Sequence, residues 1–186
     1  MPPNLVCSIC VFCGAGLGDN PAYKEAAADL GTQMAESGLR LVYGGGNVGI
    51  MGAVADAVLA GGGEAIGVIP KFLRDRETAH EELSELHVVD SMHTRKRLMF
   101  DLADAFVVLP GGLGTIEEAF EMITWRQLGQ HEKPIIFINT NNYWQPFCAL
   151  VQNVEHSGFS HGDSTQYFKT APDPLSAIRL LTTTSG

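Results

Sequence analysis

The sequence predicts a doubly wound α/β fold, with a mostly parallel, Rossmann-like sheet covered by helices on both faces. Two observations carry this. The strand candidates are continuous apolar runs, as strands buried on both faces must be, and helical segments separate them one by one. A third observation concerns place. The two densest glycine clusters both follow strand candidates, at the carboxyl ends where such sheets bind ligands.

The elements follow in order. Residues 5–13 read as a buried strand, and Asn20 and Pro21 open a helix that runs to Ser37 and stops at Gly38. Residues 39–43 form a second strand running into Gly44-Gly45-Gly46. A helix of small residues spans 49–60 and is closed by Gly61-Gly62-Gly63. Residues 65–69 make the third strand, stopped by Pro70, and 86–89 the fourth. The charged stretch 74–85 between them reads as a polar connection, either a lid or a solvated loop. A helix over 92–102, a strand over 105–109, a helix over 115–127, a strand over 134–138 and a helix over 143–156 continue the alternation. A short extended piece at 167–170 and a helix over 174–181 complete one domain spanning 1–181. Residues 182–186 read as a frayed tail.

Composition narrows the function. At 186 residues the chain can bury a core without disulfides or a structural metal. With 12 basic and 21 acidic side chains the net charge is −9, which disfavours nucleic acid and anionic membranes as partners. No apolar run reaches the ~18 residues of a membrane span, and Met1-Pro2-Pro3-Asn4 lacks the basic start of a secretory signal. A cytoplasmic protein is expected. Cys7, Cys10 and Cys13 have the spacing of part of an iron–sulfur ligand run. In a strand, however, they alternate between faces and cannot converge on one cluster. They are expected to be buried, reduced core thiols. The six histidines never pair with a carboxylate at metal-ligand spacing, so no metal and no cofactor is expected.

Three constellations could carry chemistry. Gly44, Gly45 and Gly46 join a strand to a helix, where glycines either let backbone N–H groups approach an anion or merely allow tight packing. Residues 110–118, Pro-Gly-Gly-Leu-Gly-Thr-Ile-Glu-Glu, repeat that arrangement with a threonine hydroxyl and two carboxylates at the helix start. Ile116, Phe120 and Ile123 form an apolar stripe at helical spacing, read as the core face. Glu118 then points about 160° away from it, at ~100° per residue, in reach of a nucleotide's sugar. On the same helix Met122, Trp125 and Arg126 form an extra face that suggests a partner. The third constellation is Met92-His93-Thr94-Arg95-Lys96-Arg97, with Met92, Arg95 and Lys96 on one helical face.

Pro110-Gly111-Gly112-x-Gly114-Thr115-x-x-Glu118, preceded by Met92-His93-x-Arg95-Lys96, resembles the Lonely Guy family of cytokinin riboside 5′-monophosphate phosphoribohydrolases. Members often carry the label possible lysine decarboxylase. Further likenesses are Tyr43-Gly44-Gly45-Gly46, Gly67-Val68-Ile69-Pro70 and Ile123-Thr124-Trp125-x-Gln127-Leu128-Gly129, so the resemblance runs from about Val11 to Phe159. It implies hydrolysis of the N-glycosidic bond of a cytokinin or adenine nucleoside 5′-monophosphate, giving free base and ribose 5-phosphate. Position by position, it implies Arg95 and Glu118 as the catalytic pair. Its substrate-binding positions are Glu77, Lys96, the run Gly111, Gly112, Leu113, Gly114, Thr115, Ile116 and Glu117, and Thr124. Gly14, Met92 and the Gly44–Gly46 turn join the candidate binding site. Two positions depart from the family pattern: Ala15 replaces the usual serine after Cys13-Gly14, and Leu113 the commoner tyrosine. The resemblance also implies a homodimer with its site near the subunit boundary.

The chemistry fits these residues. Glycosidic cleavage passes through an oxocarbenium-like sugar that needs a carboxylate near C1′. Glu118 could stabilise that cation, attack it, or activate water. Arg95 keeps its proton and serves an electrostatic or positioning role, while the glycine turns and Lys96 hold the phosphate. The competing reading is a non-catalytic nucleotide or molybdenum-cofactor carrier on a related fold. Decarboxylation through pyridoxal would need a Schiff-base lysine in a cofactor pocket. Lys24, Lys71, Lys96, Lys133 and Lys169 offer no such context.

Overall fold

The computed structural model describes residues 5–77, 79–160 and 163–182, with the side chains of 75–77 and 164 outside that description. Among the described residues seven strands alternate with seven α-helices. They are β1 (Ser8–Phe12), α1 (Pro21–Glu36), β2 (Arg40–Tyr43), α2 (Gly49–Ala60), β3 (Ala65–Pro70), α3 (Lys71–Glu77) and β4 (Glu85–Val89). After these come α4 (Met92–Leu102), β5 (Ala105–Val108), α5 (Leu113–Gln127), β6 (Ile135–Ile138), α6 (Gln145–His156), β7 (Lys169–Ala171) and α7 (Pro174–Thr182). All strand pairs are parallel, in the order β4-β3-β2-β1-β5-β6-β7.

That order reverses at β1, which pairs β2 on one side and β5 on the other. A doubly wound sheet opens a crevice at such a point, above the strands' carboxyl ends. The chain leaving β1 and the Pro110-Gly111-Gly112 turn leaving β5 meet there, and Gly14 N–H donates to Pro110 O at 3.1 Å. Alternation along β1 divides its side chains between two cores. Ile9 and Val11 face the layer of α1, α2 and α7, while Cys10 and Phe12 face the layer of α4, α5 and α6.

Several expectations change. The stretch after Pro70 begins with helix α3 rather than a loop, and the piece near 170 is a true edge strand. Thr182 closes α7, and residues 183–186 of the expected tail lie outside the described residues. Cys10 and Cys13 are buried, but Cys7 is exposed and Cys148 half-buried, so the thiols do not form one set. Cys7 precedes β1 and so escapes the sheet that covers the other two.

The larger correction is the rotation of α5. Its buried face is Thr115, Glu118, Ala119, Met122 and Ile123. Ile116 and Phe120 are only half-buried, and Leu113, Thr124 and Leu128 are exposed. Glu118 therefore lies on the inner face, opposite to the expectation. The helix turns its small and acidic side to the crevice, sets Ile116 and Phe120 half-buried on its flank against the core, and leaves Leu113 and Leu128 exposed. Met122 is core, Trp125 packs edge-on against Phe100 at 5.2 Å, and Arg126 donates to Lys133 O at 2.8 Å. The face expected to meet a partner is covered by the chain itself.

Candidate active site

A cavity of about 690 Å³ opens at the β1/β5 crevice. Its floor and walls come from the loop after β1, the turn after β5, the start of α5, and α4. Of the expected residues it brings together Gly14, Gly44, Met92, Arg95, Gly111, Gly112, Gly114, Thr115, Glu117 and Glu118. Gly45, Gly46, Lys96, Leu113, Ile116 and Thr124 do not line it. The Glu77 side chain lies outside the described residues.

Arg95 and Glu118 are both buried, at 6% and 8% exposure, in a chain whose other charges are mostly solvated. Ionised groups stay buried only when the fold holds them. Ser91 caps α4 by accepting from Thr94 N–H at 3.1 Å, and so fixes where the helix begins. Arg95 then reaches the ends of two strands: Nε donates to Val68 O at 3.0 Å and Nη2 to Gly44 O at 3.1 Å. A Cβ at position 44 would sit 2.1 Å from Arg95 Nη2 and 3.0 Å from Met51 Sδ. Gly44 is thus glycine so that the guanidinium can lie against its backbone. Burial pushes the Cys13 thiol up, the Glu118 carboxylate pushes it further, and Arg95 opposes. Arg95 and Glu118 therefore act on the same patch of cavity wall, and Cys13 stays a neutral thiol there.

The two glycine clusters part company. The first N–H groups of α2 are already taken, since Ile50 and Met51 donate to Gly14 O at 3.1 and 3.3 Å. The Gly44–Gly46 turn instead serves packing: His80 N–H donates to Gly45 O at 3.1 Å, and Gly46 bridges to Ala79. These contacts favour the packing alternative at Gly45 and Gly46, while Gly44 also lines the cavity. At α5 no side chain caps the helix, and Gly112, Gly114 and Thr115 stand on the cavity wall. Its opening N–H groups have no intrahelical acceptor, which with the helix dipole suits an anion.

Lys96 is tied elsewhere. Its ammonium lies 2.5 Å from a Glu117 oxygen and 3.1 Å from Glu121. Burial works against its charge, but the hydrogen bonds and charges of the two glutamates hold its pKa above the usual lysine value. Lys96 clamps α4 to α5 beside Arg95 and Glu118. The cavity also holds residues that spacing did not reveal, among them Asp19, Tyr23, Met51, Leu73 and Tyr143. Asp19 could have been found, because it follows a strand at the switch point. Tyr143 comes from the β6–α6 connection and had no motif to mark it.

The comparisons fit this geometry. Residues 51–181 match the family described as "Possible lysine decarboxylase". A cytokinin riboside 5′-monophosphate phosphoribohydrolase of Rhodococcoides fascians is 49% identical over 153 residues, 82% of this chain and 77% of that protein. The enzyme of that name from Oryza sativa subsp. japonica, LOG, is 45% identical over 88% of this chain and 68% of its own length. The chain belongs to the Lonely Guy family. LOG7 of Arabidopsis thaliana is a further Lonely Guy relative, 44% identical over 93% of the chain and 80% of its own length. Solved molybdenum-cofactor proteins share the fold. That of Rippkaea orientalis superposes with TM-score 0.69 over 96% of this chain and 97% of its own, at 22% identity. The carrier of Chlamydomonas reinhardtii gives TM-score 0.71 over 95% of both chains, at 21%. At such identities the likeness extends to the fold alone. The decarboxylase description has no counterpart in the cavity, since none of its lining residues is a lysine.

Proposed function

We propose that this Lonely Guy protein hydrolyses the N-glycosidic bond of an adenine-type nucleoside 5′-monophosphate, releasing base and ribose 5-phosphate. One observation carries the reading: a buried arginine–glutamate pair stands on the wall of a cavity that begins at an uncapped, glycine-rich helix start. The 5′-phosphate seats on the first N–H groups of α5. Glu118 follows one turn further along the same helix, so a phosphate at the helix start brings the sugar toward its carboxylate. As the base departs, positive charge develops at C1′ and O4′, and a carboxylate held in a poorly hydrated wall favours that state over the ground state. Arg95 keeps its charge and is fixed by two backbone carbonyls, so it is preorganised beside the reacting centre. Met51, Leu73, Met92 and Met99 offer an apolar wall to the planar base.

Phosphate binding supplies the energy that positions the scissile bond. The test incubates the protein with AMP, with N6-isopentenyladenosine monophosphate and with adenosine, and follows free base. Release from either nucleotide, with adenosine a far poorer substrate, is expected. Equal kcat/KM for AMP and adenosine removes the phosphate seat.

The protein works as a homodimer in this reading. Support comes from the two ends of α5, where Leu113 and Leu128 are 87% and 66% exposed. A light-scattering mass near 20.0 kDa, that of one chain, contradicts it. Among the described residues no helix is long and apolar enough to cross a membrane. The free cysteines fit a reducing, cytoplasmic compartment, checked by locating a tagged chain.

A further inference from the structure

We infer that Tyr143 is the positioning residue that sets the glycine turn for phosphate, acting through a single hydrogen bond to the Gly111 carbonyl. The inference rests on the hydrolase reading for its ligand, and on three structural observations for its geometry. The first is the bond itself: Tyr143 Oη donates to Gly111 O at 2.6 Å, across 32 positions of sequence. A peptide unit is planar and trans, so its carbonyl and the next N–H point in opposite directions. Fixing Gly111 O therefore fixes Gly112 N–H, at the mouth of α5.

The second observation is that no side chain of the glycine turn orients it. Gly112 and Gly114 meet nothing within 4 Å at their Cβ positions, and α5 has no side-chain cap. Gly111 packs against Gly14 and Thr115, Gly14 N–H holds Pro110 O and Ile116 N–H holds Gly112 O, and the Gly111 carbonyl between them is the point that Tyr143 fixes.

The third is how Tyr143 is delivered. It follows Asn141 and Asn142, with φ of 51° and 60°, two successive residues in the left-handed region that usually belongs to glycine and that asparagine tolerates. Such backbone persists where the surroundings over-determine it, and it clusters at functional positions. Here it folds the chain leaving β6 back over the crevice. The Tyr143 ring then packs edge-on against Trp144 at 4.9 Å and Tyr23 at 5.3 Å. Tyr23 and Tyr143 both line the cavity, so the hydroxyl is held at its edge by rings rather than by chance rotation.

Tyr143→Phe keeps the ring and removes only the hydroxyl. Titration calorimetry with AMP, ribose 5-phosphate and adenosine is run beside thermal melting and steady-state kinetics with AMP. Losing one hydrogen bond should weaken AMP and ribose 5-phosphate binding about tenfold. Adenosine binding and the melting temperature should stay close to wild type, and KM for AMP should rise while kcat holds within about threefold. Unchanged affinity for the phosphorylated ligands overturns the inference. So does a melting temperature that falls with all three ligands weakened alike, because the hydroxyl then only supports the fold. Wild-type protein that binds AMP no better than adenosine overturns it together with the phosphate seat. Wild-type protein that binds AMP and releases no base overturns the hydrolase reading alone, and the calorimetry still decides Tyr143.

Discussion

Alanine at Gly111 and alanine at Gly114 should have opposite effects on stability and the same effect on nucleotide. At Gly111 the new Cβ would lie 2.2 Å from Thr115 Oγ1 and 2.7 Å from Gly14 N, more than an ångström inside ordinary contact with the hydroxyl. Thr115 is buried, and Gly14 N–H is committed to Pro110 O, so neither neighbour can swing aside cheaply. The β1 and β5 turns must separate instead, an overpacking cost of about 1–3 kcal/mol. A shift of roughly 1 Å at a positioning element can cost about 10²-fold in rate. At Gly114 the Cβ meets nothing within 4 Å, and the residue lies in the first turn of α5. Alanine there should stabilise by about 0.5–1 kcal/mol through helix propensity. Yet Gly114 lines the cavity, and a methyl group would stand where the phosphate seats. Urea denaturation with a common m-value measures the first effect, and calorimetry with AMP the second. A Gly111→Ala protein of wild-type stability refutes the packing argument. A more stable Gly114→Ala protein that binds AMP normally refutes the placement of the phosphate.

Three further outcomes follow from other contacts. Arg95→Lys keeps the charge but cannot span Val68 O and Gly44 O together, so it should cost about 1–3 kcal/mol in stability and at least tenfold in base release; near wild-type turnover would show that charge alone suffices. Lys96→Met removes the clamp on Glu117 and Glu121, so kcat should fall while preference for AMP over adenosine persists; losing that preference would return Lys96 to the phosphate. His131 accepts from Lys133 N–H through Nδ1 and meets Met122 O through Nε2. Burial holds its pKa below the ordinary histidine value, opposed by the Met122 bond and aided by Arg126 and Lys133. The unfolded chain therefore binds the proton first as pH falls below ~6.5, and folding stability declines there. Urea midpoints at pH 7.5 and 5.5 should differ less in His131→Gln than in wild type; an identical pH dependence removes His131 as a contributor.

Where the sequence was legible, the physics was local. Apart from Arg40 at the start of β2, the residues of β1, β2, β3, β5 and β6 are all buried, as parallel strands covered on both faces must be. The helix start at Pro21 was written in Asn20, which caps it. The rotation of α5 was not legible. Its pattern carries apolar residues on two faces, and only the packing of α4 and α6 decides that Glu118 turns inward while Ile116 and Phe120 sit half-buried on the flank. The two glycine clusters looked alike in sequence and differ in what already occupies their N–H groups, a fact set by Gly14 from another turn. Tyr143 had no periodic or spacing signal, because it reaches the site from a connection whose path depends on two left-handed asparagines.

Glu118→Gln tests the central claim most directly, with Glu117→Gln beside it. Both residues lie early in α5, but Glu118 is buried on the cavity wall and Glu117 is an exposed partner of Lys96. The measurement is single-turnover release of base from AMP, with AMP binding followed in parallel. A carboxylate facing C1′ predicts that Glu118→Gln folds, binds AMP, and loses roughly 10²–10⁴ in rate. Glu117→Gln should lose far less. A Glu118→Gln protein that releases base at the wild-type rate contradicts the account.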